Sequence, residues 1–347
     1  SSIGYSVTHD GGSVWSAPRY VASPGGRYAS NPVLVVDSQK RFTLAWIGFG
    51  LSGAMPDEHV YVARLDAATG DFLAPAIASD DGTSSALNFD KPSLAVDAND
   101  DLLVTWADFT TTPTLTFARS ADATTFTRTT VAADATFGNL ASLCLDTSAG
   151  PSAEIYMVHL GPNGTVSLRT STSQGASFTL HPPLPTTSVI FSDPTCVVHG
   201  SEVTIAYGVG TALFDPTKSS PATAIAVVRS HDGGTTFDAP LPVAAQPGVQ
   251  YLYPRLGRAP NGKLEITFYS GTDGAPATFA HASSADGITW TVSPIGPAGT
   301  FTLDRTLASW LGDYTGLGTP GASSAFVSFT ENSEGKAHVK LAEIALP

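Results

Sequence analysis

The chain is short of charge, of sulfur and of helix-forming pattern. Charged residues make up 14 % of its 347 positions, and lysine and arginine together number only 17. Against them stand 30 acidic residues, for a formal net charge of -13. That balance argues against a nucleic-acid partner or an anionic membrane surface, both of which demand basic patches. No apolar run approaches the roughly 20 residues of a membrane span. Two cysteines say little about redox compartment. Nothing at Ser1 reads as a signal peptide, which fits a mature secreted domain as well as a cytosolic one. Long amphipathic helices are missing. In their place are 33 glycines, 25 prolines and an abundance of Thr, Ser, Ala and Val, the profile of many short strands joined by turns. Richness in Thr, Ser and Gly with little Lys points to an exported protein, extracellular or periplasmic.

One short string recurs. Ser230-His231-Asp232-Gly233-Gly234-Thr235-Thr236-Phe237 has the composition of a turn locked by its own side chains. Thr8-His9-Asp10-Gly11-Gly12-Ser13-Val14-Trp15 is a close copy, and Ser284-Ala285-Asp286-Gly287-Ile288-Thr289-Trp290 a shorter one. Three more are eroded: Ser120 to Phe126 lacks the glycine, Ser171 to Phe178 has Ser173 for Asp, and Asp66 to Phe72 keeps little else. The Asp positions (10, 66, 122, 173, 232 and 286) step by 51 to 59 residues, a regular architectural period. Between them, Asn31-Pro32-Val33-Leu34-Val35-Val36-Asp37 aligns with Lys91-Pro92-Ser93-Leu94-Ala95-Val96-Asp97, with Leu140 to Asp146 and with Asp193 to His199. Each is followed by an alternating run ending in an aromatic, such as Phe42 to Trp46 or Leu264 to Phe268, then by a run into the turn and another out of it.

Every unit thus reads as four antiparallel strands joined by hairpins. A sheet of that size cannot cover both of its faces alone, and stacking such sheets about an axis solves the problem. The expected fold is all-β: a six-bladed β-propeller of four-stranded antiparallel blades, forming one domain over residues 1–347. The chain starts on what reads as a third strand, Ile3 to Val7, so strands from both termini are expected to share the closing blade. One surplus strand near the C-terminus keeps seven blades open as the alternative count.

The locked turns resemble Asp-boxes, the Ser/Thr-x-Asp-x-Gly-x-x-Trp/Phe repeat of sialidases and related propellers, and the resemblance covers essentially the whole chain. It implies a sialidase-like fold in which these turns lie on the blade periphery, away from the ligand. It also implies a site at the mouth of the propeller channel, built from first-strand starts and from the loops after the second strands. On that face the repeat frame places Asn31, Asp90, Lys91, Asp193, Tyr253, Arg255, Asp313 and Tyr314, with Asp108, His159, Ser270 and Glu331 at the ends of second strands. The insertions Gly48 to Glu58 and Gly208 to Ser220 flank it.

Sialidase chemistry takes an arginine cluster for the substrate carboxylate, a tyrosine nucleophile with its glutamate, and an aspartate acid/base. The resemblance therefore proposes Tyr314, Asp313, Asp90 and Glu331 as catalytic residues. Arg27, Lys91, Asp108, Asp193, Tyr253, Arg255 and Arg305 are the binding set. The Arg-Ile-Pro motif that precedes the first blade of sialidases is absent. The segment Trp310 to Leu317 resembles the last-blade motif of secreted sialidase-like repeat proteins; it is either a site strand or a closure device. The expected partner is a glycan or glycoconjugate, bound by a monomer, with glycoside hydrolysis as the activity if there is one. Non-catalytic recognition or adhesion is the alternative.

Other constellations are thin. The eight histidines show no metal-ligand spacing. No metal or cofactor is expected beyond a structural calcium ion that Asp80, Asp81 and Asp90 could help to hold, although no loop matches a calcium pattern. There is no phosphate-binding glycine loop and no nucleophile elbow. Cys144 and Cys196 sit at positions of opposite parity on aligned strands, so they face opposite ways and can meet between adjacent blades. A disulfide is feasible, with buried thiols as the alternative.

Overall fold

The computed structural model describes residues 2–21, 23–50, 57–80, 87–133, 141–150, 153–161, 164–188, 192–210, 222–272, 276–296, 301–302, 311–312 and 314–346. Their regular structure is almost all β-strand, with two single-turn helices at Pro24–Gly26 and Thr147–Ala149. No helix among them is long and apolar enough to cross a membrane.

β1 (Ile3–Tyr5) and β2 (Arg19–Val21) flank the first locked turn as a two-stranded sheet. Antiparallel meanders follow. The first is β3 (Tyr28–Val36), β4 (Phe42–Gly50), β5 (Asp57–Arg64) and β6 (Ala76–Ile77). The second is β7 (Phe89–Val96), β8 (Leu102–Asp108), β9 (Thr114–Ser120) and β10 (Thr127–Ala133). The third is β11 (Ser142–Cys144), β12 (Ile155–Leu160), β13 (Val166–Ser171) and β14 (Thr179–Leu180). The fourth is β15 (Thr195–His199), β16 (Glu202–Gly208), β17 (Ile225–Ser230) and β18 (Leu241–Ala244). In the fifth, β19 (Gln250–Arg258), β20 (Leu264–Gly271), β21 (Pro276–Ser284) and β22 (Thr291–Ile295) are joined by β23 (Phe301–Thr302), which pairs with β21. The last is three-stranded: β24 (Gly316–Gly318), β25 (Ser324–Glu331) and β26 (His338–Ala345). These are the blades of an all-β, six-bladed β-propeller, the class expected from the repeat.

The chain divides into two compact units, Ser1–Ile155 with Thr170–Thr179, and Tyr156–Arg169 with Leu180–Pro347. In the first, strand alternation sends side chains to two separate cores. Ala45, Ile47, Val60 and Val62 pack with Leu94, Val104 and Trp106 of the second blade. Their neighbours Leu44, Trp46, Tyr61 and Ala63 pack the opposite way, with Val21, Ile3 and Tyr5. The second unit repeats the arrangement. Leu264, Ile266 and Phe268 meet Val227 and Val243, while Tyr269 and Phe279 meet Val327 and Phe329. A strand apolar on both faces is buried on both faces, which is why the inner strands read as nearly unbroken hydrophobic runs.

The recurring turns are locked as their composition requires. Ser230 Oγ accepts from the Gly234 N–H at 2.8 Å and donates to Asp232 Oδ1 at 2.8 Å, and that oxygen accepts from the Thr236 N–H at 2.8 Å. Thr8, Asp10 and Gly12 repeat the pattern, as do Ser284, Asp286 and Gly287. Two eroded copies keep it with substitutes. Ala123 takes the glycine's left-handed conformation at φ 64°, its N–H donating to Ser120 Oγ at 2.9 Å. Ser173 Oγ replaces the carboxylate in accepting from the Ser177 N–H, at 3.0 Å.

Three of the six turns are also tied to the sheet before them by an arginine. Arg19 donates to the Thr69 carbonyl at 2.8 Å, Arg119 to the Gln174 carbonyl at 3.3 Å and Arg229 to the Asp286 carbonyl at 2.8 Å. Glycines make the close approach possible. A Cβ at Gly175, whose φ is 89°, would lie 2.0 Å from Cε1 of buried Phe117. Gly175→Ala is therefore expected to cost about 1–3 kcal/mol more than Gly200→Ala. The latter shares a left-handed φ but has open space around it. Thermal and urea unfolding of the two variants check this; equal losses would show that the Gly175 contact is soft.

Candidate acid/base site in the first unit

At the ends of the sheets away from the locked turns, three first strands carry the same irregularity. The ladder slips between Ser30 and Val33 in β3, between Asp90 and Ser93 in β7, and between Leu252 and Arg255 in β19. Each bulge holds a non-glycine residue in the left-handed region directly before a proline: Asn31 (φ 56°), Lys91 (φ 53°) and Tyr253 (φ 54°). Such a conformation costs on the order of 1–3 kcal/mol and persists only where surrounding structure enforces it. Proline cannot donate to the ladder, so the slip falls where no donor is lost. A bulge of this kind re-aims the side chains beside it.

In the first unit two of these bulges meet. Asn31 Nδ2 donates to Asp90 Oδ1 at 2.6 Å, and the same oxygen accepts from the Lys91 N–H at 2.8 Å. Lys91 is buried. Across from them, β5 begins Asp57-Glu58-His59, alternating between its two faces. Glu58 Oε2 accepts from the Phe89 N–H at 2.5 Å, beside Asp90. Burial pushes its carboxyl up to about 7, helped by the Asp90 charge and opposed by the Phe89 hydrogen bond. A half-buried carboxylic acid that exchanges its proton near neutrality, next to a hydrogen-bonded carboxylate, can give and take protons.

The other face of β5 carries an ionic chain. His59 is buried, with Nδ1 2.9 Å from Asp80 Oδ2 and Nε2 3.3 Å from Asp57 Oδ1. Asp57 Oδ2 in turn takes the Arg27 guanidinium, whose other nitrogen reaches the Tyr61 hydroxyl at 3.4 Å. Asp108 lies opposite Phe89 in the ladder, and its Oδ1 accepts from the Thr110 N–H at 2.8 Å, which binds it to its own turn.

The second unit holds the remaining expected residues. Tyr253 is buried at its bulge, its N–H on Ser192 Oγ at 3.0 Å. Arg255 Nε donates to the Thr315 carbonyl at 3.0 Å, which places it beside Tyr314 in sequence. Asp193 is half-buried just before β15. Glu331 is tied at the end of β25: it accepts from the Ser333 N–H at 3.1 Å and from the Ser333 hydroxyl, and pairs with Lys340 at 3.1 Å. The Ser333 hydroxyl, more than any other group, holds its carboxyl below the usual range. Asp313 and Arg305 lie outside the described residues.

The expected set is thus gathered in part. Asn31, Asp90 and Lys91 come together, and Arg27 joins the ionic chain. Glu58, Asp57, His59 and Asp80 were not singled out as site residues by the repeat frame, although Glu58 closes the Gly48 insertion. Among the described residues no group of three or more His, Cys, Asp or Glu could hold a metal ion. Asp80 is turned to His59 and Asp90 to Asn31, while Asp81 lies outside the described residues. Neither cysteine is free; Cys144 and Cys196 are both disulfide-bonded.

No protein-family model and no curated protein matches the chain. Solved structures do share its fold. A protein of unknown function from Dyadobacter fermentans is 12 % identical, with a TM-score of 0.61 over 94 % of this chain and 97 % of its own. A polysaccharide lyase, an ulvan lyase of family PL25, is 12 % identical, with a TM-score of 0.62 over 91 % and 82 %. An ulvan lyase bound to -[GlcA(1-4)Rha3S]- gives 0.56 over 92 % and 85 %, again at 12 % identity. At that identity the likeness is one of fold.

The raised Glu58 carboxyl has a consequence for stability. The folded chain holds this proton up to about pH 7, whereas the unfolded chain releases it near its ordinary value of 4.5. The folded state binds more protons between those values, so this group's contribution falls as pH rises through the window. Glu58→Gln is expected to unfold at a higher temperature than the parent at pH 8, and at nearly the same temperature at pH 4. Parallel thermal melts measure it; a constant difference at both pH values would place the Glu58 proton elsewhere.

Proposed function

We propose that the chain is an exported, glycan-acting propeller in which Glu58 and Asp90 form the acid/base pair of a glycoside hydrolase. The observation that carries this reading is the pairing itself: one carboxyl raised to about 7 by burial, beside a second that accepts two hydrogen bonds. A protonated carboxyl beside a hydrogen-bonded carboxylate is how one site supplies both roles. In the reaction, Glu58 gives its proton to the glycosidic oxygen as the bond from that oxygen to the anomeric carbon breaks. Water adds to the anomeric carbon, and Asp90 takes the proton that water releases. Asn31 holds Asp90 in place. The fold shared with a saccharide-bound lyase supports a glycan as the ligand. Disulfide-bonded cysteines support export, since such bonds persist in oxidising compartments.

Sialidase chemistry, the narrower expectation, finds less support. It wants arginines free to clamp a carboxylate. Arg27 is already engaged by Asp57, and Arg255 donates to the Thr315 carbonyl.

A screen of polysaccharides and aryl glycosides with the parent, Glu58→Gln and Asp90→Asn tests the proposal. Loss of a positioned general acid or base is expected to lower kcat by about 10²–10⁴. The rate should fall as pH rises through about 7, because the acid must be protonated to act. Turnover indifferent to both substitutions overturns the assignment. Binding without turnover across the whole panel replaces hydrolysis with recognition.

A further inference from the structure

The row of side chains that ends at Glu58 begins with two aromatic rings. Tyr28 of β3 lies opposite Phe49 of β4, and Phe49 lies opposite Glu58 of β5. Residues opposite one another in an antiparallel ladder point to the same face of the sheet. Here it is the face that Ala45, Ile47, Val60 and Val62 turn to the second blade, and Phe49 packs against that core while only partly buried. The Tyr28 ring stacks on Phe49, with centroids 5.7 Å apart and planes at 27°. Even so, Tyr28 is 41 % exposed. Three residues further along β3, Asn31 holds Asp90.

Two features set this tyrosine apart from a stray surface aromatic. Phe49 holds its ring in one orientation, which removes much of the rotamer entropy that a ligand contact would otherwise cost. Its place in the row also puts it two strand spacings from Glu58, about 10 Å, a span that takes more than one sugar ring.

We propose that Tyr28, backed by Phe49, is the stacking platform of a second sugar subsite, so that the glycan is taken as an oligosaccharide. This rests on the acid/base reading of Glu58 and Asp90 and extends the same site along its row. A sugar ring presents a face of C–H bonds with its hydroxyls around the rim. Those hydrogens carry slight positive charge and suit the negative face of an aromatic ring. Tyr28 is remote from the bond that breaks, so the contact acts on ground state and transition state alike. It lowers KM for a chain long enough to reach it and leaves kcat as it is.

The test measures binding and turnover of arabino-, xylo-, manno-, cello- and galacturono-oligosaccharides, from disaccharide to hexasaccharide, beside the matching aryl monoglycosides. Calorimetry on Glu58→Gln reads binding without cleavage. Affinity is expected to rise with chain length, and Tyr28→Ala in that background to weaken the longest ligand about tenfold, on the scale of one aromatic contact. Tyr28→Phe and Tyr28→Trp are expected to keep the rise. Phe49→Leu, which leaves Tyr28 without its backing ring, is expected to lose part of it. In turnover, Tyr28→Ala alone is expected to raise KM for oligosaccharides about tenfold with kcat unchanged, and to leave aryl monoglycosides untouched. An effect equal on both substrate classes, a length dependence indifferent to Tyr28, or no binding of any ligand by the parent overturns the inference. The acid/base reading fails separately: turnover that ignores Glu58→Gln while binding still depends on Tyr28 removes that pair and leaves the platform.

Discussion

A single hydroxyl hydrogen bond underlies most of the architecture. In each intact turn a Ser or Thr oxygen takes the N–H of a residue in left-handed conformation, as Ser230 takes Gly234 and Thr8 takes Gly12. A bond of this sort contributes about 1 kcal/mol net. Its larger effect is geometric, because it fixes which way the turn faces; at Thr69, Gln174 and Asp286 a backbone carbonyl of the turn then meets an arginine of the preceding sheet. Arg119 and Arg229 both directly precede the hydroxyl residue of their own turns, so one short string both locks a turn and reaches the next one. Repeating that string ties successive sheets together alongside the apolar cores between them.

Rigidity at that end permits strain at the other. A left-handed residue before proline is a poor local choice, yet Asn31, Lys91 and Tyr253 all adopt it. Local preference and global fold disagree at these positions, and such conflicts gather where a side chain must be aimed for a purpose. Two of the three bulges converge on Asp90. The carboxyl facing them, Glu58, is desolvated by the same packing that buries Phe89 and Trp106.

The period of the fold was legible because its punctuation is chemical: Ser, Asp and Gly stand at fixed offsets, and even Ala123 and Ser173 kept enough of the pattern to be counted. The bulges were half legible. Asn31-Pro32 and Lys91-Pro92 were aligned as strand starts, and proline inside a strand already signals a slipped ladder. The arginines of the turns are not legible in the sequence, because a lone Arg at the end of a strand has no distinctive spacing. Glu58 was invisible for a deeper reason. Nothing in Asp57-Glu58-His59 says that alternate residues face different neighbours, one into an ionic chain and one against Phe89 and Asp90. That difference exists only once β5 is placed between its partners.

The same placement explains why scarcity of basic residues is informative at this site. With 17 Lys and Arg among 347 residues, few cations reach a carboxylate-rich end. Arg27 is held by Asp57, and the His59 ring lies between Asp57 and Asp80. Asp57 thereby ties the Arg27 guanidinium to the start of β5, on the face away from Glu58. On the other face of β5 stand the raised Glu58 carboxyl and the hydrogen-bonded Asp90, the pair on which the proposed acid/base chemistry rests.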